Sequence, residues 1–216
     1  MPLALSETPL LNRAAGDPEG RNRFRSGMEG KTDAMNDGLL VVDVFNDFQH
    51  EDGDTLLASF QERVPAMVEA MTAARAAEIP VVYANDQLGR WDSDAPGLVR
   101  AMLAAGPGGE VIAPLTPTPG DRFVLKPRYS AFDHTALVLL LQEVQIERIL
   151  LMGSAIEGCV VQTGIDAREA GFKVTILADA CATNDSALAE IALRYAEEVG
   201  GMRVSDASSV AAARAT

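Results

Sequence analysis

From residue 38 onward, short β-branched apolar runs alternate with longer segments of helical period, the pattern of parallel βαβ units. Six such runs lie in a chain of 216 residues, 48% of them hydrophobic, which is enough apolar material for one ordinary domain with a substantial core. The predicted fold is a three-layer α/β/α sandwich on a six-stranded parallel, doubly wound sheet. Right-handed crossovers leave few strand orders, and the Rossmann-like order 3-2-1-4-5-6 is the commonest.

Each element follows from its local pattern. LLVVDVF (39–45) reads as a buried first strand, and apolar residues at Val64, Met67, Val68 and Met71 give 60–77 a core-facing helical stripe. VVYAN closes a second strand over 80–85, followed by an irregular stretch through Pro96 and a short helix near 98–104. RFVL (122–125) is the third strand and 135–144 the next helix. The fourth strand is expected over 148–153, with a helix from about 158 to 170 that Gly171 ends in the left-handed conformation. A fifth strand over 173–178, a helix over 186–199 closed by Gly200 and Gly201, and a short strand over 202–204 complete the order.

Residues 1–36 differ in composition, with three prolines, four glycines and no sustained period, and are read as a flexible extension to a folded domain over 37–216. Their five basic residues balance five acidic ones, so the formal net charge of −13 belongs to 37–216. An acidic chain argues against a nucleic-acid partner, whose phosphates demand cationic surface. No apolar run approaches bilayer-spanning length and no early stretch has the form of a secretory signal, so a cytoplasmic protein without membrane contact is expected. Two cysteines and two histidines are too few for a disulfide framework or a structural zinc site.

In the predicted order the chain reverses direction between strands 1 and 4, and ligands of such sheets bind at the carboxyl ends of the strands flanking that crevice. Asp43 lies there, a carboxylate inside an apolar run that must be paired or titrate if it is buried. Cys159 is expected to open the helix after strand 4, where unpaired amides and the helix dipole favour thiolate. Lys126 ends strand 3. Taken singly, these would read as a turn cap, a small buried residue and a solvated lysine; together they fall on one rim of one sheet.

The segments DVFNDF (43–48), KPRYSAF (126–132) and GSAIEGCV (153–160), with Thr163, Asp166 and Ala167 after them, resemble the isochorismatase-like cysteine hydrolases. That family includes nicotinamidases and N-carbamoyl amidohydrolases, and the resemblance spans about 38–204. It implies a catalytic triad of Asp43, Lys126 and Cys159, a cis peptide between Ser154 and Ala155, and an oxyanion hole formed by the amides of Ala155 and Cys159. The implied reaction cleaves a C–N bond of a small amide or carbamoyl substrate through a thioester, with no organic cofactor. It also implies a homo-oligomer, a dimer or tetramer. A vinyl-ether hydrolase using Asp43 without a thiol, and a non-catalytic binding domain on the same fold, are the competing readings.

Nicotinamidases of the family hold a metal through an aspartate and histidines after strand 2. Here Asp86 keeps the aspartate, but Leu88 stands where the first histidine would be, and no metal is expected. His50 is read as an exposed loop residue and Cys181 as structural. Phe48, Trp91, Tyr129 and Phe132 are the candidate aromatic walls of the substrate pocket, with 89–94 as a candidate lid.

Overall fold

The computed structural model describes residues 35–92 and 94–212. Most of the expected extension, residues 1–34, lies outside them.

Six parallel strands form one sheet in the order β3-β2-β1-β4-β5-β6. They are β1 (Asp37–Val42), β2 (Val81–Asp86), β3 (Arg122–Lys126), β4 (Arg148–Gly153), β5 (Lys173–Cys181) and β6 (Arg203–Ser205). Among the described residues seven α-helices connect or follow them: α1 (Gly53–Ala76), α2 (Ala95–Leu103), α3 (Pro107–Ile112), α4 (Leu137–Glu143), α5 (Val161–Glu169), α6 (Ser186–Glu198) and α7 (Ser209–Ala212). One helical layer groups α1 with α3 and α7, and α5 packs against α6, as right-handed crossovers on both sides of a reversal point require.

The central strand β1 is buried along its whole length, because a parallel sheet covered on both faces gives a strand no solvent side. Its register sets the rim. Val42 pairs with Ala84 on one side and with Gly153 on the other, Asp86 pairs with Lys126, and Gly153 pairs with Cys181 across a register shift. The residues immediately after these pairs leave the sheet at one edge. At the opposite edge Arg148 grips Asp37 with two parallel bonds, of 2.6 and 2.7 Å, which fix the start of the β1–β4 pairing.

The differences from the sequence expectation have local causes. The first strand stops at Val42 because Asp43 takes a left-handed conformation (φ 48°) and turns the chain out of the sheet. Val44 and Phe45 remain fully buried after the turn, so the apolar run continues where the strand does not. Helix α1 begins at Gly53, two turns earlier than 60, and the apolar spacing of Leu56 and Phe60 fits that start. Helix α2 starts at Ala95 with the Asp94 side chain accepting from the Gly97 amide. Helices α3 and α7 are too short for a periodic signal, and α3 opens on Pro107-Gly108-Gly109. Gly171 does end α5 in the left-handed region, at φ 94°.

Candidate active site

The turn at Asp43 aims a carboxylate into the crevice between β2 and β4. Its backbone is held by Asp43 N–H donating to the Ala84 carbonyl, and by Ser154 Oγ donating to the Asp43 carbonyl at 2.7 Å. Asn85, buried at the end of β2, clamps the next segment by accepting from the Phe45 amide at 2.9 Å and donating to the Phe45 carbonyl at 3.0 Å. The carboxylate itself is shared. Oδ1 accepts the Asp86 amide at 2.7 Å, and Oδ2 lies 2.7 Å from the Lys126 ammonium.

Lys126 is completely buried at the end of β3. Its Nζ donates to the Arg128 carbonyl at 2.8 Å and lies 3.6 Å from Cys159 Sγ. An ammonium in that position is tolerable only because a carboxylate and a carbonyl replace its water. The segment after it is tied down where the Ala131 amide donates to Thr163 Oγ1 on α5, at 3.0 Å. The three residues expected to form the triad are thus brought within contact of one another.

Cys159 does not open a regular helix. It stands in a wide turn, Ile156–Val160, that departs from helical geometry at Gly158, and α5 begins two residues later at Val161. The peptide bond between Ser154 and Ala155 is cis. Gly153 (φ 133°) leaves no room for a side chain, since a Cβ there would run into the Val42 carbonyl. Glu157 braces the turn from the other side: its carboxylate accepts from Thr183 Oγ1 at 2.7 Å and from the Asn184 and Asp185 amides at 2.8 and 3.2 Å.

Burial and neighbouring charges pull on the three ionisable groups in opposite directions. Burial first, and the adjacent Asp43 charge second, push the Cys159 thiol up to about 12. Burial also raises the Asp43 carboxyl above its usual value, against the opposing pull of Lys126. Lys126 is likewise raised: burial alone would lower it, but Asp43 and Cys159 more than compensate. All three groups are shifted upward, so the surroundings of Cys159 favour its protonated form, with the Lys126 charge pulling the other way.

A cleft of about 420 Å³ opens over Cys159, lined by Asp43, Asp86, Ala155, Glu157, Tyr129 and Asn184 among others. Of the four aromatics expected to wall it, only Tyr129 does so. Phe48 is in the core, packed edge-on against Phe60 with ring centres 5.4 Å apart and covering Gly108. Phe132 tilts against Phe172 at 5.9 Å, and Trp91 is 81% exposed on the turn after β2, away from the lining. His50 is exposed, as expected, yet reaches the cleft wall. Sequence reasoning missed Asn85, although a polar residue closing an apolar strand is the same signal that marked Asp43. Asn184 was also missed; its Oδ1 is buried on the cleft wall without a hydrogen-bond partner among the described residues.

The residues at the nicotinamidase metal position do not fit a metal. Asp86 Oδ1 is taken by the Leu88 amide, the Leu88 side chain is a hydrocarbon, and no cluster of three or more His, Cys, Asp or Glu among the described residues is arranged to hold an ion. No helix among them is long and apolar enough to cross a membrane.

Comparison with known proteins bears on this geometry. A profile of the isochorismatase domain matches residues 37–208. An uncharacterized isochorismatase family protein, YaaI of Bacillus subtilis, is 34% identical over 161 residues, covering 74% of this chain and 88% of that protein. The ureidoacrylate amidohydrolase RutB of Methylorubrum extorquens is 31% identical over 211 residues, covering 84% of each chain. Among solved structures, N-carbamoylsarcosine amidase from Thermoplasma acidophilum superposes with a TM-score of 0.63 at 27% identity, over 80% of this chain and 97% of that one.

Proposed function

The chain belongs to the isochorismatase family, and on that premise we propose that it is a cysteine hydrolase of small amide or carbamoyl compounds, working through Asp43, Lys126 and Cys159. As a member with amidohydrolase and amidase relatives it acts on C–N bonds of the amide type. The observation that carries the finer reading is the position of the Lys126 ammonium, 2.7 Å from Asp43 and 3.6 Å from Cys159 Sγ at the floor of one cleft.

In this reading Asp43 takes the Cys159 proton as Sγ attacks the carbonyl carbon, and the buried Lys126 charge offsets the thiolate that forms. The tetrahedral oxyanion is held by the Ala155 and Cys159 amides. Protonated Asp43 gives its proton to the leaving nitrogen, the C–N bond breaks, and a thioester remains on Sγ. Asp43, again a carboxylate, removes a proton from water, which adds to the thioester; collapse expels Sγ, which recovers its proton, and the acid leaves.

A panel of small primary amides, ureas and carbamoyl compounds assayed for ammonia release tests the proposal. Turnover lost in Cys159→Ala, together with a single iodoacetamide adduct mapping to Cys159 in the parent, is the expected result. A Cys159→Ala variant that keeps its turnover, as a vinyl-ether hydrolase relying on Asp43 alone would, or preferential alkylation of Cys181, would overturn it.

A further inference from the structure

The charges around the cleft say more about the substrate than its shape does. Among the described residues three carboxylates line it, Asp43, Asp86 and Glu157, and no arginine or lysine does. Lys126 lies directly beneath, but its donors are committed to Asp43, the Arg128 carbonyl and Cys159. Asp86 ends β2 and Glu157 stands in the turn after β4, so these two carboxylates flank the end of β1, one on either side of Asp43.

Neither forms a direct ion pair among the described residues, although Asp86 feels the buried Lys126 charge. Asp86 is satisfied at Oδ1 by the Leu88 amide, and Glu157 by a hydroxyl and two amides. Those neutral donors stabilise the carboxylates without cancelling their field. Arg128, the nearest guanidinium along the chain from Lys126, lines an adjoining cavity that shares Asp86 and Tyr129 with the cleft, and there it faces Asp133 at 3.7 Å. The Asn184 Oδ1 on the same wall is another acceptor without a donor. The walls are therefore rich in acceptors and poor in cations.

We propose that this cleft selects uncharged or cationic amides and ureas, and discriminates against those that carry a carboxylate. The selection rests on the hydrolase reading of the same site. A substrate carboxylate would enter a partly desolvated space facing Asp86 and Glu157, where like charges repel more strongly than in water and the described lining holds no guanidinium to receive it. An ammonium or an N–H donor on the substrate meets acceptors instead.

Charged thiol reagents separate this inference from the hydrolase reading, because they report the field at Sγ without requiring turnover. The intact protein is treated with methyl methanethiosulfonate and with its sulfonatoethyl (anionic) and trimethylammonioethyl (cationic) analogues, and the adduct on Cys159 is followed by peptide mass. Each rate is divided by that of 2-mercaptoethanol with the same reagent. The cationic reagent is expected to outpace the anionic one by about tenfold or more, a ratio that shrinks with added salt and in Asp86→Asn and Glu157→Gln. Equal normalised rates for the two charged reagents, or a ratio unmoved by salt and by both substitutions, would overturn the proposal even if the protein hydrolyses amides. Ammonia release from butanamide and 4-aminobutanamide exceeding that from succinamate would support it at the level of turnover, and the reverse order would overturn it.

Discussion

The Lys126 ammonium, with no solvent exposure, lies 2.7 Å from Asp43 Oδ2, whose side chain is itself only 14% exposed. The pair links the ends of β3 and β1, two strands separated by β2, and the Asp86 amide at the end of β2 completes the span by donating to the other Asp43 oxygen. Removing one member leaves an uncompensated charge in the interior, whereas removing both does not. Each single, Lys126→Met or Asp43→Asn, removes one partner, and Lys126→Met is expected to destabilise the fold by about 3–5 kcal/mol. The double variant Asp43→Asn, Lys126→Met should recover most of that loss while remaining inactive. Urea denaturation of the two singles and the double measures the coupling, and additive losses would show that the pair is not the buried unit described.

The Asp43 charge acts on the Cys159 thiol in the direction opposite to that expected of a simple activating base. That charge is one of the reasons the Cys159 thiol is pushed up to about 12. In Asp43→Asn that charge is gone while Lys126 still pulls the thiol down, so the thiolate should form at lower pH than in the parent. Activity should nevertheless be lost, because nothing remains to carry the proton to the leaving nitrogen. Ultraviolet thiolate absorbance against pH, on a Cys181→Ala background to remove the second thiol, reads the first quantity, and ammonia release reads the second. In the parent, kcat/KM should rise with pH as Asp43 ionises, and because burial raises that carboxyl the rise belongs above 3.8.

The order of the strands and the residues of the rim were legible in the sequence because both depend on features that periodicity carries. Asp43, Lys126 and Cys159 each interrupt or end a run that is otherwise apolar or small. What escaped was whatever depends on backbone direction. The left-handed conformations of Asp43 and Phe48 (φ 48° and 57°) redirect the chain between them, and Phe48, predicted to wall the pocket, turns into the core beside Phe60. The carboxylate of Glu157 is absorbed by donors from the β5–α6 connection that lies 26 to 28 residues away. No local pattern announces that pairing.

Phe48 and Tyr129 separate structure from recognition. Phe48 is 6% exposed with its ring filling the space over Gly108, so Phe48→Ala should cost about 3–5 kcal/mol of stability. Tyr129 is 67% exposed and lines the cleft, so Tyr129→Ala should change stability by no more than about 0.5 kcal/mol. Its effect should fall on KM for a turned-over amide. Thermal melts and steady-state kinetics on both variants check the contrast; a Tyr129→Ala protein with unchanged KM would remove Tyr129 from the recognition surface.

The buried Cys181 and the partly buried Cys159 make the fold sensitive to alkali. Cys181 is fully buried at the end of β5 and burial pushes it up to about 12, from 9.0 when exposed. Between those values the unfolded chain has released the thiol proton while the folded chain still holds it. The unfolded state thus binds fewer protons, and stability falls as pH rises, by on the order of 1 kcal/mol per pH unit for each such thiol. Cys159 adds a second contribution over the same range, and Tyr83, raised chiefly by its burial, acts in the same direction at higher pH. Cys181→Ala removes one of these. Its stability at pH 7 should be lower than the parent's, because a packed sulfur is lost, but its decline above pH 9 should be shallower, so that the two curves converge toward pH 12. Urea midpoints measured at intervals from pH 7 to pH 11 under reducing conditions test this, and parallel curves would show that the Cys181 thiol does not titrate differently in the folded and unfolded chains.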